Sequence, residues 1–322
     1  MKLTFFIVTL VICSLATAQE TDWYVNFHNI MDNREYDSSV GNPQSFMAAR
    51  LDIAGGLKHD ATSGLYVGIN YMFEYGGQLD SITPALNLYY EINREDFAFY
   101  AGSFAKEKVI DLPLFMFGDS LNYYTPNMGG MAFEWRREWG KQNIFVDWTG
   151  RQSTQTRESF VLGFSGQFKR NTFYIENYGY MFHYALTEGY DPNEHIRDNG
   201  VGALFIGADL SESTFMDVLK YDIGAVGNYD RSRPADYGLY GGVMGRLNAH
   251  YKRVGLDISS YWGDELRVPL GDQLYANGNY TRTDLCIVPI KGTHIESVFK
   301  WSFHFTGGLV SNSQQFFLIA RF

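Results

Sequence analysis

Between Tyr237 and Tyr251 the chain changes character at every step. Tyr237, Leu239, Gly241, Val243, Gly245, Leu247, Ala249 and Tyr251 fall on one face, and Gly238, Tyr240, Gly242, Met244, Arg246, Asn248 and His250 on the other. A period of two belongs to a β-strand. An aliphatic stripe with a tyrosine at each end suits a strand facing lipid between two interfacial aromatic girdles. Residues 294–305 repeat the pattern, with Ile295, Phe299, Trp301, Phe303 and Phe305 opposite His294, Glu296, Lys300 and His304. So do residues 65–74, where Leu65, Val67, Ile69, Tyr71 and Phe73 alternate with Tyr66, Asn70 and Glu74. Beyond the first residues no apolar run reaches the roughly 18 residues a membrane-spanning helix needs. If the chain crosses a membrane it must do so with strands closed into a barrel, because a bilayer core cannot satisfy open backbone groups.

The N-terminus supplies the compartment. Lys2, the apolar stretch Leu3 to Leu15 and the small-x-small site Ala16-Thr17-Ala18 read as a secretory signal peptide over residues 1–18, leaving 19–322 as a single barrel domain. A lipoprotein anchor at Cys13 is the weaker reading, since bulky Ile12 precedes it. Cleavage leaves Cys286 alone, so neither an internal disulfide nor a cysteine zinc site is expected, and no cofactor or metal is predicted. The 26 Lys and Arg against 36 Asp and Glu exclude nucleic acid as the expected partner, because phosphate binding calls for a basic excess.

The same alternation marks sixteen strands: 22–31, 45–57, 64–75, 83–92, 96–105, 129–138, 142–150 and 157–168, then 171–184, 199–210, 217–227, 237–251, 254–262, 280–289, 294–305 and 312–322. Fourteen would result if two weak candidates merged. Connections after even strands are short and polar, among them Asn93 to Glu95, Gly140-Lys141, Lys169-Arg170 and Lys252-Arg253. Those after odd strands include the four longest, near 32–44, 106–128, 185–198 and 263–279. Outer-membrane barrels alternate short periplasmic turns with long outer loops in this way. A soluble β-sandwich would also alternate, but it predicts neither this parity nor the final strand. There Phe316, Leu318, Ala320 and Phe322 form one apolar face opposite Phe317, Ile319 and Arg321. The pattern resembles the terminal signal read by the barrel-insertion machinery.

Asn26-Phe27-His28 with Asp32-Asn33-Arg34-Glu35-Tyr36, Phe117 to Tyr124, Asp147-Trp148-Thr149-Gly150-Arg151-Gln152 and Asp198-Asn199-Gly200 together resemble an uncharacterised, porin-like group of Bacteroidetes outer-membrane proteins. The resemblance implies the fold and the bacterial outer membrane, with lipid and lipopolysaccharide as its surroundings, and implies no mechanism.

Sixteen strands imply a lumen wide enough for water. The inward register carries Arg50, Asp52, Asn70, Glu74, Glu91, Glu134, Arg136, Asp147, Lys220, Asp222, Arg246, Asp257, Arg282, Asp284, Glu296 and Lys300. These are candidate pore-lining charges, or else wall charges that pair across strands. The linker 106–128 is too apolar at Leu112 to Phe117 for a solvated loop. It is expected to fold into the lumen and constrict it through Phe115, Phe117, Asp119, Tyr123 and Tyr124; the loop from Gly263 to Tyr280 is a weaker candidate for the same role. The function these features favour is passive diffusion of small hydrophilic solutes, with cations or neutral sugars preferred for the acidic excess. A barrel that serves a secretion, glycan or uptake complex through its outer loops is the first alternative. A membrane-embedded hydrolase or acyltransferase is the second. An enzyme is not expected, because none of the seven histidines stands near a serine in a recognisable string, and His294 and His304 lie ten residues apart on one strand. Trp23 already begins the first strand, so no plug domain of a TonB-dependent transporter is expected.

Overall fold

The computed structural model describes residues 20–77, 84–189 and 193–322; the expected signal peptide lies outside them. Sixteen antiparallel strands form one closed barrel in which each strand pairs with its sequence neighbours and β1 with β16. They are β1 (Glu20–Glu35), β2 (Gln44–Asp60), β3 (Ser63–Glu74), β4 (Ala85–Asn93), β5 (Phe97–Ala105), β6 (Asn127–Arg137), β7 (Gly140–Gly150) and β8 (Ser159–Arg170). The second half has β9 (Phe173–Tyr184), β10 (Arg197–Asp209), β11 (Val218–Ser232), β12 (Gly238–Tyr251), β13 (Val254–Gly263), β14 (Tyr280–Ile287), β15 (Ile295–Thr306) and β16 (Leu309–Arg321). Closure removes the free edges that would otherwise expose a row of backbone donors and acceptors.

The strand count and the alternation of loop lengths agree with the sequence. At the end where β1 begins and β16 finishes, five of the connections are two or three residues long, such as 61–62 and 252–253, while 106–126 and 264–279 emerge from the opposite end. Two details differ. The β6–β7 turn is Glu138-Trp139, with Gly140 already paired to Arg137. And β1 runs four residues past its expected end, through Asp32, Asn33, Arg34 and Glu35, each paired with β16. The apolar stripe ends where lipid ends, but backbone pairing continues above it, so hydrophobic period alone stops short.

The outer wall carries an apolar band that includes Leu51, Ile69, Leu88, Met131, Ile144, Leu204 and Ile223, all exposed. Exposed Trp23, Trp139, Phe173 and Tyr251 flank it at one end, and Tyr75, Trp148, Tyr237 and Trp262 at the other. Those two girdles are where amphipathic rings sit in a bilayer.

Candidate functional site: a plugged barrel with a polar vestibule

The interior is packed. Residues 106–126, between β5 and β6, turn inward and bury Val109, Phe115, Met116, Phe117 and Tyr123, the last on a single helical turn, α1 (Asp119–Tyr124). Residues 264–279 add Leu266, Leu274 and Tyr275. Val109, Phe115, Met116, Leu266, Leu274 and Tyr275 join inward-facing Phe104, Tyr180, Phe205, Met244, Tyr261 and Tyr280 in one apolar core inside the barrel, while Tyr123 packs in a smaller cluster with Ile30, Phe46, Ala48 and Met72. The two segments hold each other by backbone hydrogen bonds, Gly118 N donating to Leu270 O and Asp272 N to Leu114 O, both at 2.8 Å. Gly271 permits that approach, since a Cβ there would stand 2.1 Å from Phe115 O. The wall is tied in as well: Tyr180 Oη donates to Met116 O (3.1 Å) and Asn143 Nδ2 to Val109 O (2.9 Å). Lys108 Nζ lies 5.0–5.8 Å from the ring centres of Tyr24, Tyr66, Tyr89 and Tyr100 and 3.2 Å from Glu91. That combination of ring faces and a carboxylate is a strong anchor for an ammonium.

Beside the plug, toward the end with the long loops, lies a cavity of about 310 Å³ lined by Arg34, Asp119, Ser120, Arg282, Ser313 and Gln315 among others. Its polar wall is a connected network. Arg34 pairs with Asp32 at 2.7 Å and donates to Ser120 Oγ at 2.9 Å. Gln315 Nε2 bridges Asp32, Asp119 and Tyr123 Oη at 3.2, 3.1 and 3.0 Å. Buried Arg282 pairs with Asp284 at 2.7 Å and reaches Asp119 and Asp272 at 3.9 Å. Asp119 is partly buried, which raises its pKa, but Arg282 leads the cationic neighbours that overcome this and hold its carboxyl below the usual range. Asp272, on the other plug segment, ends above the usual range because burial dominates there. Among the described residues no cluster of three His, Cys, Asp or Glu is arranged to hold a metal ion.

One edge of this cavity carries a nucleophile–base pair. His304 Nε2 lies 2.9 Å from Ser313 Oγ, and His304 Nδ1 lies 2.6 Å from Tyr280 Oη. The ring is 1% exposed and stands edge-on to Tyr36 at 5.0 Å, so its orientation is fixed. The histidine is on β15 and the serine on β16, and β-pairing puts Ser313 diagonally across from His304.

A family model for lipid A 3'-O-deacylase-type proteins matches residues 15–312. The chain belongs to this family. The fold has wider company. An anion-selective porin from Comamonas acidovorans superposes with a TM-score of 0.58 at 8% identity, covering 94% of this chain and 99% of that one. The loop L8 deletion mutant of OmpT, an outer-membrane protein of Vibrio cholerae, gives the same score, identity and coverage. OmpT expressed in the outer membrane of the same organism reaches 0.55 at 7% identity, over 94% and 97% of the two chains. No curated protein matches the chain. The protein is thus an outer-membrane β-barrel with a porin-like fold, in contact with membrane lipid, its short turns periplasmic and its long loops extracellular. Membership of a family named for deacylation overturns the expectation of a non-enzyme. That expectation rested on finding no recognisable histidine–serine constellation in the sequence, whereas a hairpin brings His304 and Ser313 together in space.

In this deacylase-type barrel the structure places Phe115, Phe117 and Tyr123 in the interior, Asp119 at the vestibule, and Tyr124 beside Phe46 with half its surface exposed. The expectation of a wide water-filled lumen is corrected: sixteen strands leave the room, but the two inserted loops fill it. The inward charges are largely paired. Glu134 meets Arg136 (2.7 Å), Asp147 Lys106 (3.2 Å), Asp222 Arg246 (2.7 Å), Asp257 His250 (2.7 Å), Lys220 Asp209 (3.7 Å) and Lys300 Asp284 (3.7 Å). Asp52 accepts from Asn87 at 2.6 Å and Arg50 donates to Asn122 O at 3.1 Å. Asn70 is buried at a second cavity on the periplasmic side, while Glu74 and Glu296 sit half-buried near the ends of their strands. On the last strand Phe317, Ile319 and Arg321 line that second cavity, leaving Phe316, Leu318, Ala320 and Phe322 on the other face. The charges therefore neutralise one another along the wall more than they line open water. His304, Ser313 and Tyr280 escaped the sequence reading, although the Gly307-Gly308 turn defines the register that joins the first two.

Proposed function

We propose that the protein is an outer-leaflet ester hydrolase that removes an acyl chain from a lipid of the lipid A type, acting in the extracellular vestibule. The observation that carries this reading is the Ser313–His304 hydrogen bond at the edge of a cavity facing outward, in a chain of the deacylase-type family. In the tautomer with its proton on Nδ1, His304 donates to Tyr280 Oη and leaves Nε2 to accept the Ser313 hydroxyl proton. Ser313 Oγ then attacks the acyl carbonyl, and His304 passes the proton to the departing sugar oxygen. Water, deprotonated by the same Nε2, next cleaves the acyl-serine ester, releasing a fatty acid and restoring Ser313. Arg34 and Arg282 supply positive charge for the oxyanion and for an anionic headgroup. A volume of about 310 Å³ is at the small end of the range for ligand sites, about 300–1,000 Å³. Mass spectrometry of lipid A from cells expressing the protein tests it. The native chain should yield a species lacking one acyl chain. Ser313→Ala and His304→Gln, checked for heat-modifiable mobility as a mark of a folded barrel, should lower that conversion by about 10³-fold or more. Full conversion by folded Ser313→Ala sinks the reading.

A second reading is a narrow channel for small hydrophilic solutes. It is favoured by the second cavity of about 340 Å³, lined by His28, Arg50, Glu107 and Arg321 on the periplasmic side of α1. Tyr123 lines this cavity and its hydrogen-bond partner Gln315 lines the first, so the two are divided by that contact. In this reading segment 106–126 is the constriction, and the acidic balance favours cations or neutral sugars.

A further inference from the structure

Four glycines stand side by side across four neighbouring strands. Gly179 of β9 pairs with Gly202 of β10, Gly202 with Gly227 of β11, and Gly227 with Gly241 of β12. All four are on the lipid side. Their alternating neighbours Tyr180, Val201 and Val226 are buried in the interior, while Leu204, Ile223 and Val243, of the glycines' own parity, are exposed. At about 4.8 Å per strand the row spans about 14 Å. Part of this hollow is filled by rings of the same outer face: a Cβ on Gly179 would meet the Phe164 ring at 2.6 Å, and one on neighbouring Gly200 the Tyr229 ring at 2.2 Å. The middle of the row is open, since a Cβ on Gly202 would find nothing closer than 3.8 Å and one on Gly227 nothing closer than 3.6 Å, whereas one on Gly241 would stand 3.1 Å from Val226 O. The result is an apolar groove of about 790 Å³ walled by Leu162, Phe164, Met181, Tyr229 and Leu239.

The groove runs up into a polar rim. Two residues beyond Met181, Gly200 and Tyr229, on the same face and toward the extracellular end, come His183, Asp198 and Arg231. His183 Nδ1 lies 2.8 Å from Asp198, and Arg233 makes two bonds to the same carboxylate at 3.1 and 2.9 Å with half its side chain exposed. Arg231 lies over the Tyr237 ring at 4.7 Å and donates to Ala235 O at 2.9 Å. Among the described residues no carboxylate pairs with Arg231, so Asp198 balances Arg233 and one fixed cation remains at headgroup depth.

We propose that this face is a lipid-binding site for one acyl chain of a phosphorylated outer-leaflet lipid, the chain lying over Gly202 and Gly227 and the phosphate meeting Arg231. Bulk acyl chains cover any barrel wall. What this wall adds is a hollow made by missing side chains, topped by a guanidinium without a counter-ion, and a phosphate is the headgroup that matches it. Strands β8–β12 do not line the vestibule, so the proposal stands apart from the hydrolase reading.

Native mass spectrometry of the full barrel, purified in mild detergent and titrated with diphosphorylated lipid A or its dephosphorylated form, tests it by counting lipids retained whatever their acyl number. One phosphorylated lipid per barrel is expected. The double substitution Gly202→Leu/Gly227→Leu fills the groove where space permits a side chain and should weaken retention at least tenfold. Arg231→Gln should weaken it severalfold for the phosphorylated probe alone. No retention by the native protein, equal retention by the filled variant, or indifference to phosphate overturns the proposal, as does a second copy of this chain in place of lipid.

Discussion

The middle of the barrel and its extracellular mouth are built by the same strands, yet they are lined by opposite chemistry. In the middle, Phe115, Met116, Phe205 and Met244 are each fully buried and pack as in a soluble core. At the mouth, Asp32, Asp119, Arg282 and Gln315 surround a cavity and bond to one another. An apolar centre narrows the interior and gives the wall something rigid to close upon. A polar mouth resting on that floor holds its side chains in fixed positions through their mutual hydrogen bonds. The contrast teaches that strand number sets the room inside a barrel, and the loops decide whether it is a pore or a scaffold.

The largest effect that would break this contrast comes from removing the floor. Deleting residues 110–122 should convert a barrel of little conductance into one with stable single-channel steps in a planar bilayer, raised severalfold over the native protein. Unchanged conductance in a folded deletion would show that passage does not run through the plug. A smaller effect compares one residue from each region. Phe115→Ala should cost about 3–5 kcal/mol of stability in denaturant unfolding, as for other buried aromatics. Ser120→Ala, which loses one hydrogen bond to Arg34 at the mouth, should cost about 1 kcal/mol. Equal costs would erase the distinction between dry and polar regions.

The smallest effect is in pH. Asp119 is held below its ordinary value, so its stabilisation is complete above the unfolded aspartate pKa of about 3.9 and is lost as pH falls through its lowered folded value. Asp272 is raised by burial, so its contribution has the opposite sign: it is present at low pH and lost as pH rises from about 3.9 through its raised value. Limited proteolysis of the plug between pH 2 and 7 should therefore show a shallow tightening as pH falls toward about 4 and loosening below it. Asp119→Asn should remove the loosening below about pH 4 and Asp272→Asn the tightening above it, because each substitution deletes the carboxyl that titrates in that window. The same slope in all three proteins would show that neither carboxyl governs the plug.

Much of the fold was legible because its signals are local. Parity along Tyr237 to Tyr251 names the lipid face without knowledge of any neighbour, and the apolar run Leu112 to Phe117 announces a segment that water cannot cover. The site was not legible in the same way. Ser313 meets His304, and Gly202 meets Gly179 and Gly227, only through cross-strand register, and a one-residue slip would undo each meeting. Glu134 with Arg136 shows the middle case. Two residues apart on one face, they could be foreseen as facing the lumen and as pairing, and the structure shows the pairing. The lumen's width was misjudged because strand count was read without the volume of the loops that enter it.

The hydrogen bonds that join Gly118 to Leu270 and Asp272 to Leu114 link segments on opposite sides of the middle of the chain. The plug is thus closed by contacts about 150 positions apart in the chain, whereas the wall around it is built from hairpins of sequence neighbours. Contacts of such long range carry the largest loop-closure cost, so the stopper, and not the ring, is the slow-forming part expected of this architecture.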